Sequence, residues 1–117
     1  MITLSNINEK TDQDVFDYIV GALLKQNKQS ADSDNMCQYK SKDGCKCAVG
    51  QVISDEEYDK KMEGQTIRGA FFDKFNIDVD KLFFLQELQE IHDDCDVINW
   101  AKQFKELANK LDLNYKF

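Results

Sequence analysis

Apolar residues recur every three or four positions in three stretches of this chain, and each stretch opens with residues suited to starting a helix. Val15, Phe16, Ile19, Val20, Leu23 and Leu24 follow Thr11, Asp12, Gln13 and Asp14. There a hydroxyl can cap the backbone and the acids sit favourably against the N-terminal dipole, so an amphipathic helix is expected within 11–29. Leu82, Phe83, Phe84, Leu85, Leu88 and Ile91 follow Asp78, with Gln86, Glu87, Gln89 and Glu90 opposite; the nearly all-apolar first turn predicts that this end is the more buried. Val97, Trp100, Ala101, Phe104, Leu107, Ala108 and Leu111, after an acidic start at 93–96, make the cleanest helical pattern of the chain. So short a connection between the last two helices implies antiparallel or steeply crossed packing.

Between the first two helices the period is lost. Residues 26–35 are rich in turn formers and read as a solvated loop. The runs 36–40 and 45–49 flank Ser41-Lys42-Asp43-Gly44, and Asp-Gly in that setting predicts a hairpin, which must lie against helices to persist in water. Residues 48–53 are expected to form a short helix, with Gly50 permitting close packing. Ser54-Asp55-Glu56-Glu57 matches a capping box and predicts a short helix from Asp55 to Met62, ended by Gly64. Ile67, Ala70, Phe71 and Phe75, with Phe72 beside them, predict another over 66–75. The expected fold is α+β, mainly α: one domain over 1–117, a compact bundle of about five helices with one small two-stranded β-ribbon near 36–49.

With 117 residues, 42% of them apolar and 32% charged, the chain has material for a sizeable core and is not expected to be disordered. The longest apolar run is Leu82–Leu85 and the first residues lack a basic-then-apolar pattern, so neither a membrane span nor a secretory signal is expected, and the cytoplasm is the expected compartment. In that compartment Cys37, Cys45, Cys47 and Cys95 are expected to be thiols rather than a disulfide framework. The formal charge is −7, and residues 51–100 hold thirteen acids against five Lys and Arg, which excludes direct nucleic-acid binding as an expectation. A basic protein surface is the complementary partner for such a face, and the Phe-rich 82–85 turn suits a homodimer contact as well as a core.

Four readings compete for the chemistry. Cys37 and Cys47 from the ribbon, with His92 and Cys95 at i, i+3 on a helix, are a candidate zinc set, although Cys37, Cys45 and Cys47 lack the usual knuckle spacing and also suit buried structural thiols. Cys47 before a short helix is a candidate nucleophile with His92 as its base, giving a hydrolase. Tyr39, Asp55, Tyr58, Glu63 and Arg68 are candidates for binding a small ligand or a partner, with surface packing and pairing as the plainer account. The many carboxylates are accounted for by helix starts and solvated faces, or by an acidic docking face. No phosphate loop, nucleophile elbow, HExxH or EF-hand spacing occurs.

The series Cys37-x-Tyr39, Asp43-Gly44, Cys47-Ala48-Val49-Gly50-x-x-Ile53-x-Asp55-x-x-Tyr58 and Glu63-Gly64 resembles a family of small, uncharacterised proteins of tailed phages and prophages. Leu85-x-x-Leu88-Gln89-x-Ile91-His92-Asp93, with Trp100, is similar to the later part of that family, and the resemblance covers roughly 13–108, Cys45 departing from it. It implies a phage accessory protein without an assigned activity. The expected function is therefore non-catalytic: binding of a host protein in the host cytoplasm for takeover or anti-defence, without a cofactor. The alternative is a small-ligand or zinc site between the ribbon and His92.

Overall fold

The computed structural model describes residues 1–69 and 73–117. Among them are three α-helices, α1 (Asp12–Gln26), α2 (Val79–Asp94) and α3 (Trp100–Lys110), with single 3-10 turns at Ile7–Glu9, Val49–Val52, Lys60–Met62 and Val97–Asn99. The three periodic stretches thus form the three helices. Thr11 caps α1 by accepting from the Asp14 N–H at 3.1 Å, and Asn27 closes it in the left-handed conformation. Asp78 stands at the start of α2 without a side-chain cap bond, and α3 is entered through the 97–99 turn.

The expected α+β fold with five helices and a ribbon is not what forms: among the described residues there is no β-strand. The Asp43-Gly44 turn is made, with Gly44 at φ +87° and Ser41 N–H donating to Cys45 O at 2.9 Å. Pairing then stops at one bridge, Lys40 to Lys46, beside a second isolated bridge, Ala31 to Cys37. Beyond the bridge Cys47 N–H still donates to Tyr39 O at 3.3 Å, but the Tyr39 N–H that would return the bond is turned to Glu63, and side chains also hold the outward-facing groups of Lys40 and Lys46. Glu63 accepts from the N–H of Tyr39 (2.8 Å) and of Lys40 (3.1 Å). Gln26 accepts from Lys46 N–H and donates to Lys46 O, both at 2.9 Å, as a neighbouring strand would.

The short helix expected from Asp55 is also absent. Ser54 and Glu57 do exchange the two bonds of a capping box, Ser54 N–H to Glu57 Oε1 at 2.9 Å and Glu57 N–H to Ser54 Oγ at 3.2 Å. The Glu57 carboxylate, however, also receives the N–H groups of Leu4 and Ser5, so the box fastens the N-terminal segment instead of launching a helix. The helix expected at 48–53 is the single 3-10 turn Val49–Val52. That expected over 66–75 falls partly on residues 70–72, outside the described residues; Ile67 and Arg68 are in a turn.

The core unites Val15, Phe16, Ile19, Val20 and Leu23 of α1 with Phe84, Leu85 and Leu88 of α2 and Trp100, Phe104, Leu107 and Ala108 of α3. The Val49–Val52 turn is inserted between α1 and α2 and touches both. Ile2, Leu4 and Ile7, which carry no periodic signal, are buried as well. The start of α2 is not the more buried end: Val79 is exposed, and of the apolar run that follows Phe84 and Leu85 are buried whereas Phe83 is half exposed. No helix among the described residues is long and apolar enough to cross a membrane.

Gly50 sits where a side chain has no room. A Cβ there would lie 2.0 Å from the Tyr39 carbonyl oxygen, a backbone atom, whereas one at Gly21 would meet only the Phe117 ring at 3.1 Å. Gly50→Ala should therefore cost about 3 kcal/mol or more, because the 37–40 segment must move off the turn. Gly21→Ala, in mid-helix and against a terminal ring, should be neutral within about 1 kcal/mol. Urea unfolding of the two variants checks the contrast.

Candidate functional site

A strip of polar residues runs along α2 at helical spacing, Gln86, Gln89, Glu90 and Asp93, and forms one wall of a cleft of about 380 Å³. The opposite walls come from 37–39, from Cys47 and Val49, and from the 64–68 segment, including Thr66, Ile67 and Arg68. Gly64, at φ +80°, supplies the left-handed bend that turns the chain into this last wall.

The base of the α2 wall is a connected polar network. His92 is fully buried, and its Nε2 accepts from the Ser30 N–H at 3.0 Å. The ring proton therefore lies on Nδ1, which donates to Asp93 Oδ1 at 2.8 Å. Gln89 donates to the same oxygen at 2.7 Å and accepts from the Val49 N–H at 2.9 Å. Cys37 completes the set, its thiol lying within 4.8 Å of the Asp93 carboxylate and of a His92 ring nitrogen. Gln29 reaches back to the carbonyls of His92 (2.9 Å) and Cys95 (3.4 Å), and Ser30 Oγ donates to Cys45 O at 3.1 Å. Behind the imidazole stands Trp100, with ring centroids 5.4 Å apart, its indole N–H donating to Cys95 O at 3.2 Å.

The electrostatics follow from these contacts. Burial pushes Asp93 up, but the interactions with His92, the Cys37 thiol and Gln89 outweigh it and hold the carboxyl below the ordinary value. Desolvation of its sulfur, and then the adjoining Asp93, push the Cys37 thiol up to about 12, even though the residue is exposed. Complete burial pushes Cys47 upward too, against a Gly50 N–H that points at its sulfur from 3.3 Å. Both thiols are therefore protonated at neutral pH, which is unsuited to a nucleophile.

The sequence candidates fall into groups. Cys37, Tyr39, Cys47 and Arg68 line the cleft together. Tyr39, Tyr58 and Glu63 are joined one layer away: the Glu63 carboxylate holds the Tyr39 and Lys40 N–H groups and accepts from Tyr58 OH at 2.6 Å. Burial and then Glu63 raise the Tyr58 hydroxyl to about 12, and Tyr39 donates its hydroxyl to Gln65 O. Asp55 lies apart, almost wholly exposed and paired with Lys40 at 2.9 Å, which lowers its pKa. Arg68 is at the cleft rim with its guanidinium 4.1 Å from the centre of the Phe83 ring.

The set of Cys37, Cys47, His92 and Cys95 does not assemble as four metal ligands. Among the described residues, the ligand atoms that approach one another are those of Cys37, His92 and Asp93, all within 4.8 Å. Both imidazole nitrogens there are already engaged. Binding a metal through Nδ1 would move the ring proton to Nε2, facing the buried Ser30 N–H and leaving that donor without an acceptor. The donor set fits a hydrogen-bonded network better than zinc.

Of the network's centre, the sequence reads Gln89 as a polar position of α2 and Asp93 as part of an acidic helix start, both within the family-like series and neither as a site residue; Asp93 instead lies in the last turn of α2. Their signal is the 86, 89, 90, 93 strip, a polar stripe at helical spacing beside an apolar one. Ser30 and Gln29 carried no signal beyond loop composition. No family model, curated protein or solved structure matches the chain.

Two outcomes follow. At neutral pH, iodoacetamide should modify exposed Cys37 more slowly than a free thiol and leave Cys47 untouched until unfolding; Asp93→Asn should speed the Cys37 reaction, as peptide mass mapping can follow. Because Asp93 is lowered on folding, its ionised form contributes stability above the ordinary value of 3.8, and that contribution is lost as pH falls through the lower folded value. Asp93→Asn should thus cost about 1–3 kcal/mol at neutral pH, with the difference from the natural chain narrowing below pH 3.8, measured by urea unfolding across pH.

Proposed function

We propose that this chain is a non-catalytic binding protein whose ligand is a small polar molecule seated in the cleft between α2 and the 64–68 segment. The observation that carries this reading is the cleft itself. Its volume of about 380 Å³ suits a small metabolite, and four separate chain segments bring apolar surface and polar groups to one place. The protonated thiols and the fully engaged imidazole favour recognition over covalent or metal chemistry. The resemblance to small phage and prophage proteins supports a setting in the host cytoplasm, where capture of a host molecule would serve takeover or anti-defence.

A second reading, inhibition of a host protein, is favoured by one surface. Val79 and Phe83, one helical turn apart on α2, are 60% and 48% exposed, and Arg68 covers the Phe83 ring. An exposed aromatic with an arginine is the kind of pair on which protein interfaces concentrate their energy.

Native mass spectrometry of the protein after separate incubation with the small-molecule and the protein fractions of a host-cell extract separates the two readings. The expected result is a mass excess that is released on denaturation and absent from Thr66→Trp, whose indole fills the cleft mouth. A natural chain that stays bare removes the cleft reading. A stoichiometric protein partner lost on Phe83→Ser supports the second reading.

A further inference from the structure

Arg68 is the sole arginine in a chain with 22 Asp and Glu residues. Every lysine that borders an acid closely in this structure is drawn into an ion pair, as Lys28 with Asp43 (2.5 Å), Lys40 with Asp55 (2.9 Å) and Lys81 with Asp12 (2.5 Å). Arg68 is not: among the described residues its guanidinium has no carboxylate and no hydrogen-bond acceptor, and its contact is the face of Phe83. Stacking on a ring leaves the N–H fork at the guanidinium edge unused, and it leaves the group at the rim of the cleft. A planar fork with free donors is matched to two oxygens of one carboxylate or phosphate-type group.

Resting on the cleft reading above, we infer that the bound molecule carries a single small oxyanion, held by the Arg68 fork at the cleft rim. The rest of the lining limits its charge. Glu90 and Asp93 stand on the α2 wall, and two negative groups there repel a polyanion. Asp93 retains acceptor capacity beyond the donors from His92 and Gln89, since a carboxylate offers about four lone-pair sites. A molecule with its oxyanion at Arg68 and a hydrogen-bond donor toward Asp93 satisfies both walls. Polyphosphates and nucleic-acid backbones satisfy neither.

The test uses matched aromatic probes that differ in the head group: benzoate, phenylphosphonate and the neutral isostere benzamide. Amide shifts of the full chain in two-dimensional NMR report where each binds. Benzoate or phenylphosphonate should perturb residues 64–68 and Gln89, and bind on the order of tenfold or more tightly than benzamide. Arg68→Gln should remove that preference while leaving the benzamide shifts in place. Preference for benzoate assigns a carboxylate as the natural oxyanion, and preference for phenylphosphonate a phosphate-type group. Equal binding of benzamide and the anions, or an anion preference that survives Arg68→Gln, overturns the inference and leaves the cleft standing. Absence of cleft shifts with every probe overturns both.

Discussion

A buried backbone N–H or carbonyl must find a partner, and about half of the described residues have neither helix nor sheet to provide one. Side chains provide it instead. Gln26 pairs with both groups of part-buried Lys46, and at the surface Gln13 does the same for Asn114 at 2.8 and 3.0 Å while Asn8 holds Asn76 O and Asp78 N–H at 2.9 and 2.8 Å. Glu57 holds the N-terminal segment, Glu63 the 39–40 segment, Gln89 the Val49 turn, and His92 the loop at Ser30. No buried side-chain nitrogen or oxygen among the described residues lacks a partner. The irregular region is therefore an ordered layer, fastened at discrete points to the helices beneath it.

The cleft is a product of this fastening. Glu63 draws in the chain near Tyr39, Gly64 bends it away, and Gln89 ties the Val49 turn to α2. Between those anchors the walls are held apart at the width of a small molecule. The same side chain, Gln89, faces the cleft and holds its floor, so recognition and architecture share residues.

Much of the helical half was readable because a helix satisfies its own backbone, leaving the apolar period as a faithful record of which face is buried. Val15 through Leu23, Phe84 through Leu88 and Trp100 through Ala108 follow that record. The irregular half was not readable in this way. Gln26 and Gln89 look like solvated polar residues in a sequence and Glu63 like a ligand candidate, and the role of each depends on which distant backbone it meets. The Asp43-Gly44 turn and the Ser54–Glu57 box were each correctly visible as local devices. What followed them was decided by long-range carboxylates, so a ribbon and a helix were expected where neither continues. The sequence separates Cys37 and Cys47, as metal candidates, from Tyr39 and Arg68, as ligand candidates, and only the fold merges the four in one cleft; the central role of Asp93 was hidden by the abundance of acids around it.

Trp100 is the only indole in the protein, fully buried and stacked beside the imidazole that organises the network. Its intrinsic fluorescence is therefore a resident optical reporter for this one region, free of background from any other tryptophan. A shift in emission on adding a cleft occupant would register rearrangement around His92 and the 29–30 loop without any label. The molecule thus comes with its own assay for whether events at the rim are felt at the base.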